Sequence, residues 1–492
     1  LHVSLKQGTV VWDGTESAHE WSLSKFGSTE QALGTGAIVL FNDTAACKTV
    51  TVSENVAVSQ AVFATMESYT VQGQEAAVAT LSALTKAGTG ELVLESGVVV
   101  SGATTIEDGS LVVKKTGMLT GTISGAGELV VDWGEGINGT LSITDLATLH
   151  IASGSYGTTT SGNLDVNNII VDAGARYIQG DNVTQTAHIV SNGGVLELAG
   201  GALNGAMTLR GDTELHLRSG NVNFNISLVD NGHTFIQSGN GTILLGSAFS
   251  GRISDYVVAG GSLQLGGQCH FKDVGTITVK NGANLILTIG TGLTADTVIL
   301  EGGAKLSLWN GTGENHHLTA DVITGDGATI AGSYNGNYLS INGTISGAGT
   351  LNIDCDAHRQ NQYTINSVIQ DSAESPLALC MVAPNIVLTG ANTYTGGTTL
   401  NNGKVETRHD SALGRGAVTM NGDTLTLGAH LTIASLGGTG GVISTAGNIL
   451  TINSQSGSSS FGGNISSGSL VRKTGAGEVI FTGATDLTSL EL

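Results

Sequence analysis

Proline, cysteine, aromatic rings and basic side chains are all scarce in this chain of 492 residues. It has two prolines, Pro376 and Pro384, and aromatic residues make up 4% and charged residues 12% of the chain. Both percentages are low for a globular enzyme. The hydrophobic share of 40% argues against a disordered chain, which would be weakly hydrophobic and highly charged. With 74 glycines and few helix-favouring runs, the composition predicts an all-β protein with many turns.

The scarcity of positive charge argues against a nucleic-acid partner. Nineteen Lys and Arg face forty Asp and Glu, which gives a formal net charge of −21. The sequence has no cluster of basic residues that could bind along a phosphate backbone. The acidity is typical of a large soluble surface. Calcium-binding β-helix repeats carry Gly-Gly-x-Gly-x-Asp, and this signature is not repeated here.

The four cysteines, Cys47, Cys269, Cys355 and Cys380, form no C-x-x-C pair. This spacing argues against a zinc knuckle and against a thioredoxin-type site. Cys355 and Cys380 are about one repeat apart, so two interpretations stay open. They either stack and form a disulfide or remain two buried thiols.

Long apolar runs are also absent. No run of 18 apolar residues occurs, so the sequence predicts no transmembrane helix. The opening residues 1–4 lack the charged and apolar regions of a signal peptide, which we expect to be either absent or already removed.

What the chain has in abundance is repetition. A Gly precedes a short alternating apolar run at intervals of about 20 residues. These glycines are Gly174, Gly193, Gly211, Gly239, Gly260, Gly282, Gly302 and Gly325. The motif Gly-Thr-Ile-Ser-Gly-Ala-Gly also occurs twice, from Gly121 and from Gly343. The period predicts a parallel β-solenoid, since a propeller blade needs about twice that length.

Aromatic residues are concentrated at one end. Residues 1–60 contain Trp12, Trp21, Phe26 and Phe41. The end of a stacked β array needs a cover for its open core, so we expect residues 1–60 to form a cap and first coils. Residues 61–492 are expected to form the solenoid, truncated at its C-terminal end. A ligand platform made of Trp12 and Trp21 is the functional alternative.

Residues 388–416 carry a family resemblance. This segment resembles the autotransporter-associated β-strand repeat of type V secreted passengers. The resemblance lies in the sequence Leu-Thr-Gly-Ala-Asn-Thr-Tyr-Thr-Gly-Gly-Thr-Thr-Leu-Asn-Asn-Gly and in the later Ser411-Ala-Leu-Gly. The Lys-x-Gly-x-Gly segments at 86–90 and 473–477 are similar to its lead-in. The resemblance implies an exported right-handed β-helix at the outer-membrane surface or released from it. It implies no particular activity, because such passengers carry diverse functions.

Two segments interrupt the period, and loops that leave a rigid scaffold are where binding function usually lies. In the first, Trp309, His316 and His317 are ligand-binding candidates. In the second, Tyr363 is a further candidate.

The second segment also contains a candidate metal site. The period-two spacing of Asp354, Asp356 and His358 would place all three side chains on one face of a strand. Carboxylates with one imidazole would suit calcium, manganese or zinc. A solvated loop is the competing interpretation, and no cofactor is predicted.

The sequence offers little for catalysis. Ser155 and Ser458 lie in turn-like segments without the strand–turn–helix context of a serine hydrolase. Around Asp212, charged residues alternate with Leu215 and Leu217, which is typical of the outer face of a half-buried strand. We therefore predict a non-enzymatic surface stalk or adhesin, with host glycans or a second copy of the chain as partner. The alternative is a β-helical polysaccharide lyase or hydrolase, which would need paired carboxylates in a groove.

Overall fold

We analysed a computed structural model of the chain. It describes residues 8–135, 138–157, 164–266, 270–288, 292–309, 316–333, 339–355, 363–382 and 385–492. These ranges contain strands, turns and bends, with no α-helix among them. Accordingly, no described helix could serve as a membrane span.

The chain divides into two compact units, Leu1–His233 and Thr234–Leu492. The described strands of the first unit are β1 (Thr9–Val11), β2 (Glu20–Trp21), β3 (Ile38–Asn42), β4 (Thr49–Val52), β5 (Val56–Val58), β6 (Gln60–Ala64), β7 (Tyr69–Gly73), β8 (Ala79–Leu81), β9 (Leu84–Ala87), β10 (Glu91–Leu94), β11 (Val98–Val100), β12 (Thr104–Ile106), β13 (Ser110–Val113), β14 (Thr122–Asp132), β15 (Asn138–Gly139), β16 (Ser142–Ser153), β17 (Ser155–Gly157), β18 (Val166–Asp172), β19 (Arg176–Gln179), β20 (Thr184–Asn192), β21 (Val195–Leu198), β22 (Gly201–Gly211), β23 (Thr213–Leu217) and β24 (Asn221–Val229).

The described strands of the second unit are β25 (Thr234–Gly239), β26 (Thr242–Leu245), β27 (Ser250–Gly251), β28 (Ile253–Val258), β29 (Ser262–Leu265), β30 (His270–Val279), β31 (Asn284–Leu287), β32 (Gly292–Leu300), β33 (Lys305–Trp309), β34 (His316–Thr324), β35 (Thr329–Ser333), β36 (Leu339–Asn342), β37 (Thr344–Gly347), β38 (Gly349–Cys355), β39 (Tyr363–Ile365), β40 (Val368–Asp371), β41 (Leu377–Met381), β42 (Ile386–Leu388), β43 (Thr398–Leu400), β44 (Lys404–Thr407), β45 (Ala417–Leu427), β46 (Leu431–Ile433), β47 (Ser435–Ser444), β48 (Ile449–Asn453), β49 (Ser458–Phe461), β50 (Asn464–Thr474), β51 (Glu478–Phe481) and β52 (Thr485–Glu491).

Strands pair in parallel with the strand one coil further along the chain. In the first unit β13, β14, β16, β18, β20, β22 and β24 form one such ladder, and β15, β17, β19, β21 and β23 form another. In the second unit β29, β31, β33, β35, β38, β41, β43 and β45 continue the same pattern among themselves. The predicted all-β fold with stacked parallel strands, a β-solenoid, is confirmed in each unit.

In each unit, buried apolar residues of successive strands stack on one another along a ladder. In the first unit the register stacks Leu92, Leu111, Leu129, Leu149, Ile169, Ile189, Met207 and Leu228, all of them buried. In the second unit it stacks Leu263, Leu285, Leu306, Ile330, Ile353, Met381, Leu400 and Met420, also buried. Because side chains alternate along a strand, every coil adds its inward residues to the core and its polar residues to the outside.

The first glycine of the repeated Gly-Thr-Ile-Ser-Gly-Ala-Gly motif lies directly before a strand, β14 or β37, where the backbones of two coils approach closely. A Cβ atom on Gly121 would lie 1.8 Å from the carbonyl oxygen of Gly102, and one on Gly343 would lie 2.1 Å from that of Ala320. No side chain fits at such distances. The motif recurs because the same backbone approach recurs.

In each Lys-x-Gly-x-Gly segment the lysine bonds to the turn that follows it, and Lys86 also bonds to the next coil. Lys86 is fully buried, and its Nζ donates to the carbonyl oxygens of Gly88 (2.6 Å) and Asp108 (3.1 Å). Burial lowers the pKa of this amine. Lys473 donates only within its own turn, to the carbonyl oxygens of Thr474 (2.8 Å) and Gly475 (2.9 Å). The lysine therefore closes the turn that its two glycines allow.

The aromatic residues of the first coils form a core cluster. The rings of Trp12, Trp21, Phe26 and Phe41 lie 5.0–5.9 Å apart, and all four are at most 1% exposed. Trp12 and Trp21 therefore offer no surface platform for a ligand. The predicted boundary at residue 60 stays a prediction, although β3 pairs with β6 across it.

Cys380 is a free thiol. Its strand, β41, places it opposite Asn352 of β38. Asn401 donates its side-chain N–H to the sulfur at 3.3 Å. The disulfide interpretation of Cys355 and Cys380 is not supported by this register.

Candidate functional site

The first interrupting segment is only partly within the described residues. Trp309 ends β33 opposite Ser333, and His316 and His317 begin β34 opposite Leu339 and Ser340. The side chains of Trp309, His316 and His317, together with residues 310–315, lie outside the described part of the chain. Their predicted role in ligand binding stays a prediction.

The second segment is described at its two ends. Asp354 is exposed on β38, opposite Ala331 of β35, while Asp356 and His358 lie outside the described residues. The predicted metal site therefore stays a prediction. Within the described ranges, no cluster of three or more His, Cys, Asp and Glu has the geometry to hold a metal ion.

Tyr363 occupies the core. It begins β39, is 6% exposed, and its ring lies 2.5 Å from the position that a Cβ atom on Gly332 would take. Gly332 thus leaves room for this ring. The position gives no support to a ligand-binding role for Tyr363, because a ligand at the surface would not reach it.

One sheet face of the first unit carries a row of polar side chains that crosses four coils. His150 on β16 lies between two carboxylates, with its Nδ1 3.1 Å from Glu128 Oε1 and its Nε2 2.8 Å from Asp172 Oδ2. Asn192 extends this row by donating to Asp172 at 2.6 Å. We call Glu128, His150, Asp172 and Asn192 the histidine ladder.

The register explains the ladder's geometry. His150 is directly opposite Val130 on one side and Ile170 on the other. Glu128 lies two residues before Val130, and Asp172 lies two residues after Ile170, so both carboxylates reach His150 diagonally. The His150 side chain is 23% exposed in this position.

The two neighbouring carboxylates favour the protonated form of the histidine in the ladder. The hydrogen bond to Glu128 raises the pKa of His150, and the bond to Asp172 adds to this effect, while burial opposes it. Both ring nitrogens are occupied when the imidazolium donates to both carboxylates. His150 therefore has no free nitrogen to act as a general base.

Similar ion pairs join other coils. Lys114 and Ser153 both donate to Asp132, and these two hydrogen bonds lower the pKa of Asp132 against the effect of burial. On a different ladder Glu197, 13% exposed, lies between Arg176 and Arg218. These groups link successive coils, which makes the outer faces rows of charged groups and amides.

Sequence reasoning missed the histidine ladder. Glu128, His150 and Asp172 are each 22 residues apart. A search for ionisable residues separated by one coil would have found them, because such residues meet in a parallel solenoid.

Comparison with known proteins shows which passenger repeats and which relative the chain is similar to. The passenger-associated-transport-repeat family matches at residues 84–113 and 386–406. These ranges hold β9 to β13 and β42 to β44, including the buried Lys86 and part of the segment that resembles a passenger repeat. Together with the relative described next, they support an autotransporter passenger with repeats. The resemblance drawn from the sequence is thereby confirmed.

One relative is the adhesin BmaC autotransporter of Brucella suis biovar 1, which is 28% identical over 269 residues. The matched part is 51% of this chain and 7% of the relative. The chain therefore spans a small fraction of the length of this relative. No solved structure matches the chain.

Proposed function

We propose that this passenger is an adhesin-like stalk, displayed on the bacterial surface or released from it, whose outer faces contact host glycans. The observation that carries the proposal is the segregation of each coil into an apolar interior and a polar exterior. Exterior groups repeat coil after coil, so a ligand with repeating hydroxyl groups meets repeating donors and acceptors. The name of the Brucella relative, an adhesin, supports the same conclusion.

The amide rows illustrate what a glycan would meet. Asn225 donates to Asn204 at 3.1 Å, and Asn421 donates to Asn401 at 3.0 Å. An amide that uses one N–H in its row keeps further donor and acceptor capacity for solvent or ligand. Sugar hydroxyls are suited to such groups, because each hydroxyl both donates and accepts.

The test is a glycan array with the purified chain, run with and without calcium. We expect binding to a defined set of glycans in at least one condition. Binding to no glycan in either condition would contradict adhesion through carbohydrate. A sedimentation measurement on the same sample then shows whether the chain instead associates with a second copy.

A polysaccharide-active enzyme is the second candidate. One observation favours it, because Glu20 and Glu30 line a common groove and paired carboxylates are what such enzymes use. The array glycans that bind should be incubated with the chain and their products analysed by mass spectrometry. Intact glycans support the adhesin, whereas cleaved ones support the enzyme.

A further inference from the structure

The first coils carry an open groove of about 350 Å³. Ser17, Ala18, His19, Glu20, Lys25, Gly27, Ser28, Glu30, Thr51 and Gln74 line it. This volume is at the lower end of the range for small-molecule sites, about 300–1,000 Å³. It suits a ligand of one or two sugar rings. We call it the first-coil groove.

Three successive coils build the groove. The Thr51 N–H donates to the His19 carbonyl at 2.9 Å, and Glu20 is opposite Thr51 in the β2–β4 pair. The Gln74 N–H donates to the Val52 carbonyl at 2.8 Å. Backbone hydrogen bonds therefore fix the spacing of the lining residues, although more than 50 residues separate the first from the last.

The loop that forms one wall is held at two points. Phe26 is fully buried, with its ring centroid 5.0 Å from that of Trp12 and 5.6 Å from that of Trp21. Asp13 accepts hydrogen bonds from Ser28 N (2.9 Å), Ser28 Oγ (2.6 Å) and Thr29 Oγ1 (2.6 Å). A wall anchored in this way is already formed before a ligand arrives, which reduces the ordering cost of binding.

The same contacts explain the charge of Asp13. Burial alone would raise its pKa, but the hydrogen bonds from Ser28 and Thr29 outweigh burial and lower it. The Asp13 carboxylate is thus engaged with the loop. It serves as an anchor and leaves the groove's other polar groups to meet a ligand.

Several of those polar groups are available. Among the described residues, the side chains of Glu30 and Gln74 make no hydrogen bond or ion pair, and both are exposed. His19 Nδ1 is 3.1 Å from the Glu16 carbonyl oxygen and must donate to it, which leaves Nε2 as an acceptor in the neutral ring. The groove thus combines a carboxylate, an amide and an imidazole.

The charges that line the first-coil groove and the burial of the nearby aromatic rings indicate which ligands it can bind. Two carboxylates, Glu20 and Glu30, line the groove with one ammonium group, Lys25, which is 4.0 Å from Glu20. The surplus of negative charge repels acidic sugars and attracts an amine. Since the nearby aromatic rings are buried, recognition rests on hydrogen bonds rather than on ring stacking.

We propose that the first-coil groove binds a neutral or amine-bearing saccharide of one or two rings. The inference rests on the proposed adhesin function and names a site and a ligand class for it. The sequence pointed instead to residues 309–317 and 354–363, because the groove's lining residues share no local motif.

The test measures binding of three disaccharides to the whole chain by titration calorimetry. The probes are chitobiose, its de-N-acetylated form and a uronic-acid disaccharide. We expect the first two to bind and the third to bind at least about tenfold more weakly, about 1.4 kcal/mol. Glu30→Gln should weaken the amine-bearing probe about tenfold and chitobiose less, while Gln74→Ala should weaken both.

Glu95→Gln is the matched control, because Glu95 is exposed in the same unit and does not line the groove. It should leave all three affinities unchanged. Circular dichroism on each variant checks that it is folded. Preference for the acidic probe, or equal binding by Glu30→Gln, Gln74→Ala and Glu95→Gln, would overturn the inference.

The glycan array separates this failure from failure of the proposed function. If Glu30→Gln and Gln74→Ala keep the array pattern of the unaltered chain, glycan adhesion stands and the groove is not its site. If the unaltered chain binds neither the array nor the three probes, both the groove and glycan adhesion are wrong.

Discussion

At the scale of single residues, Asp423 is a carboxyl group without a partner. It is 1% exposed, and neither of its oxygens has a hydrogen-bond partner in the described part of the chain. The register between β45 and β47 slips here, with Asn421 opposite Gly440 and Thr424 opposite Val442. The extra residue of this bulge turns Asp423 away from solvent. Burial raises the pKa of Asp423 to about 6.

This carboxyl group should make the second unit more stable in acid. The folded-state pKa lies above the ordinary aspartate value of 3.8, so the folded state binds the extra proton. The stabilisation is complete below the unfolded-state pKa and is lost as the pH rises through about 6. Asp423→Asn should abolish this loss, which is on the order of 2–3 kcal/mol.

Urea unfolding of the unaltered chain and of Asp423→Asn at about pH 4.5 and about pH 7.5 provides the measurement. The variant should gain clearly more stability at the higher pH than at the lower one. Asp486→Asn is the control, because Asp486 is exposed in the same unit. An equal gain at both pH values would refute the explanation.

His150 should show the same direction of pH dependence in the first unit. Its folded-state pKa lies above 6.5, so its contribution is complete below pH 6.5 and is lost as the pH rises through the raised value. Because the side chains of the histidine ladder are partly exposed, we expect His150→Gln to cost only about 0.5–1 kcal/mol at acidic pH. The cost should shrink in alkaline solution.

An NMR titration of the His150 ring reports the pKa directly. Glu128→Gln should lower that pKa towards the ordinary value, because it removes the strongest interaction with the ring. A pKa at or below 6.5 in the unaltered chain would show that the ladder does not hold a proton.

At the scale of elements, the corners between strands depend on glycine for space. At Gly121, a Cβ atom would lie 1.8 Å from the carbonyl oxygen of Gly102. The φ angle of Gly121 is outside the left-handed region, so glycine is required here only because a side chain would not fit. Gly36 shares that backbone property but has no atom within 4 Å of a built Cβ.

Alanine substitutions at Gly121 and Gly36 test directly whether the corner requires glycine. Gly121→Ala should destabilise the first unit by about 3 kcal/mol or more, since the coils must move apart at a backbone contact. Gly36→Ala should change stability by less than about 0.5 kcal/mol. Thermal unfolding followed by circular dichroism measures both. Equal midpoints for the two variants would mean that the corner accommodates a methyl group.

The sequence predicted the elements better than it predicted the sites. Gly121 and Gly343 begin a short repeated motif, so their recurrence can be read from the sequence, although the lack of space that it reflects is set by the neighbouring coil. The histidine ladder and the first-coil groove form only when coils stack, because each brings together residues from different coils. Glu20, Thr51 and Gln74 meet because of a register that no local pattern specifies.

At the scale of the whole molecule, the chain combines repeated parallel coils with a net charge of −21. Each of its two units stacks its own apolar column and carries polar rows outside. An acidic exterior opposes self-association of exported chains and favours solubility. These properties suit a surface-displayed passenger, and the polar rows and the first-coil groove supply its means of contact.

The most direct test of this account is adhesion of cells that display the chain. Bacteria that present it through a heterologous translocator should adhere to a host-cell monolayer more than bacteria that present an unrelated β-solenoid. Periodate treatment of the monolayer, which oxidises glycans, should remove the difference. Equal adhesion by the two strains, or a difference that survives periodate, would contradict the proposed glycan-binding role.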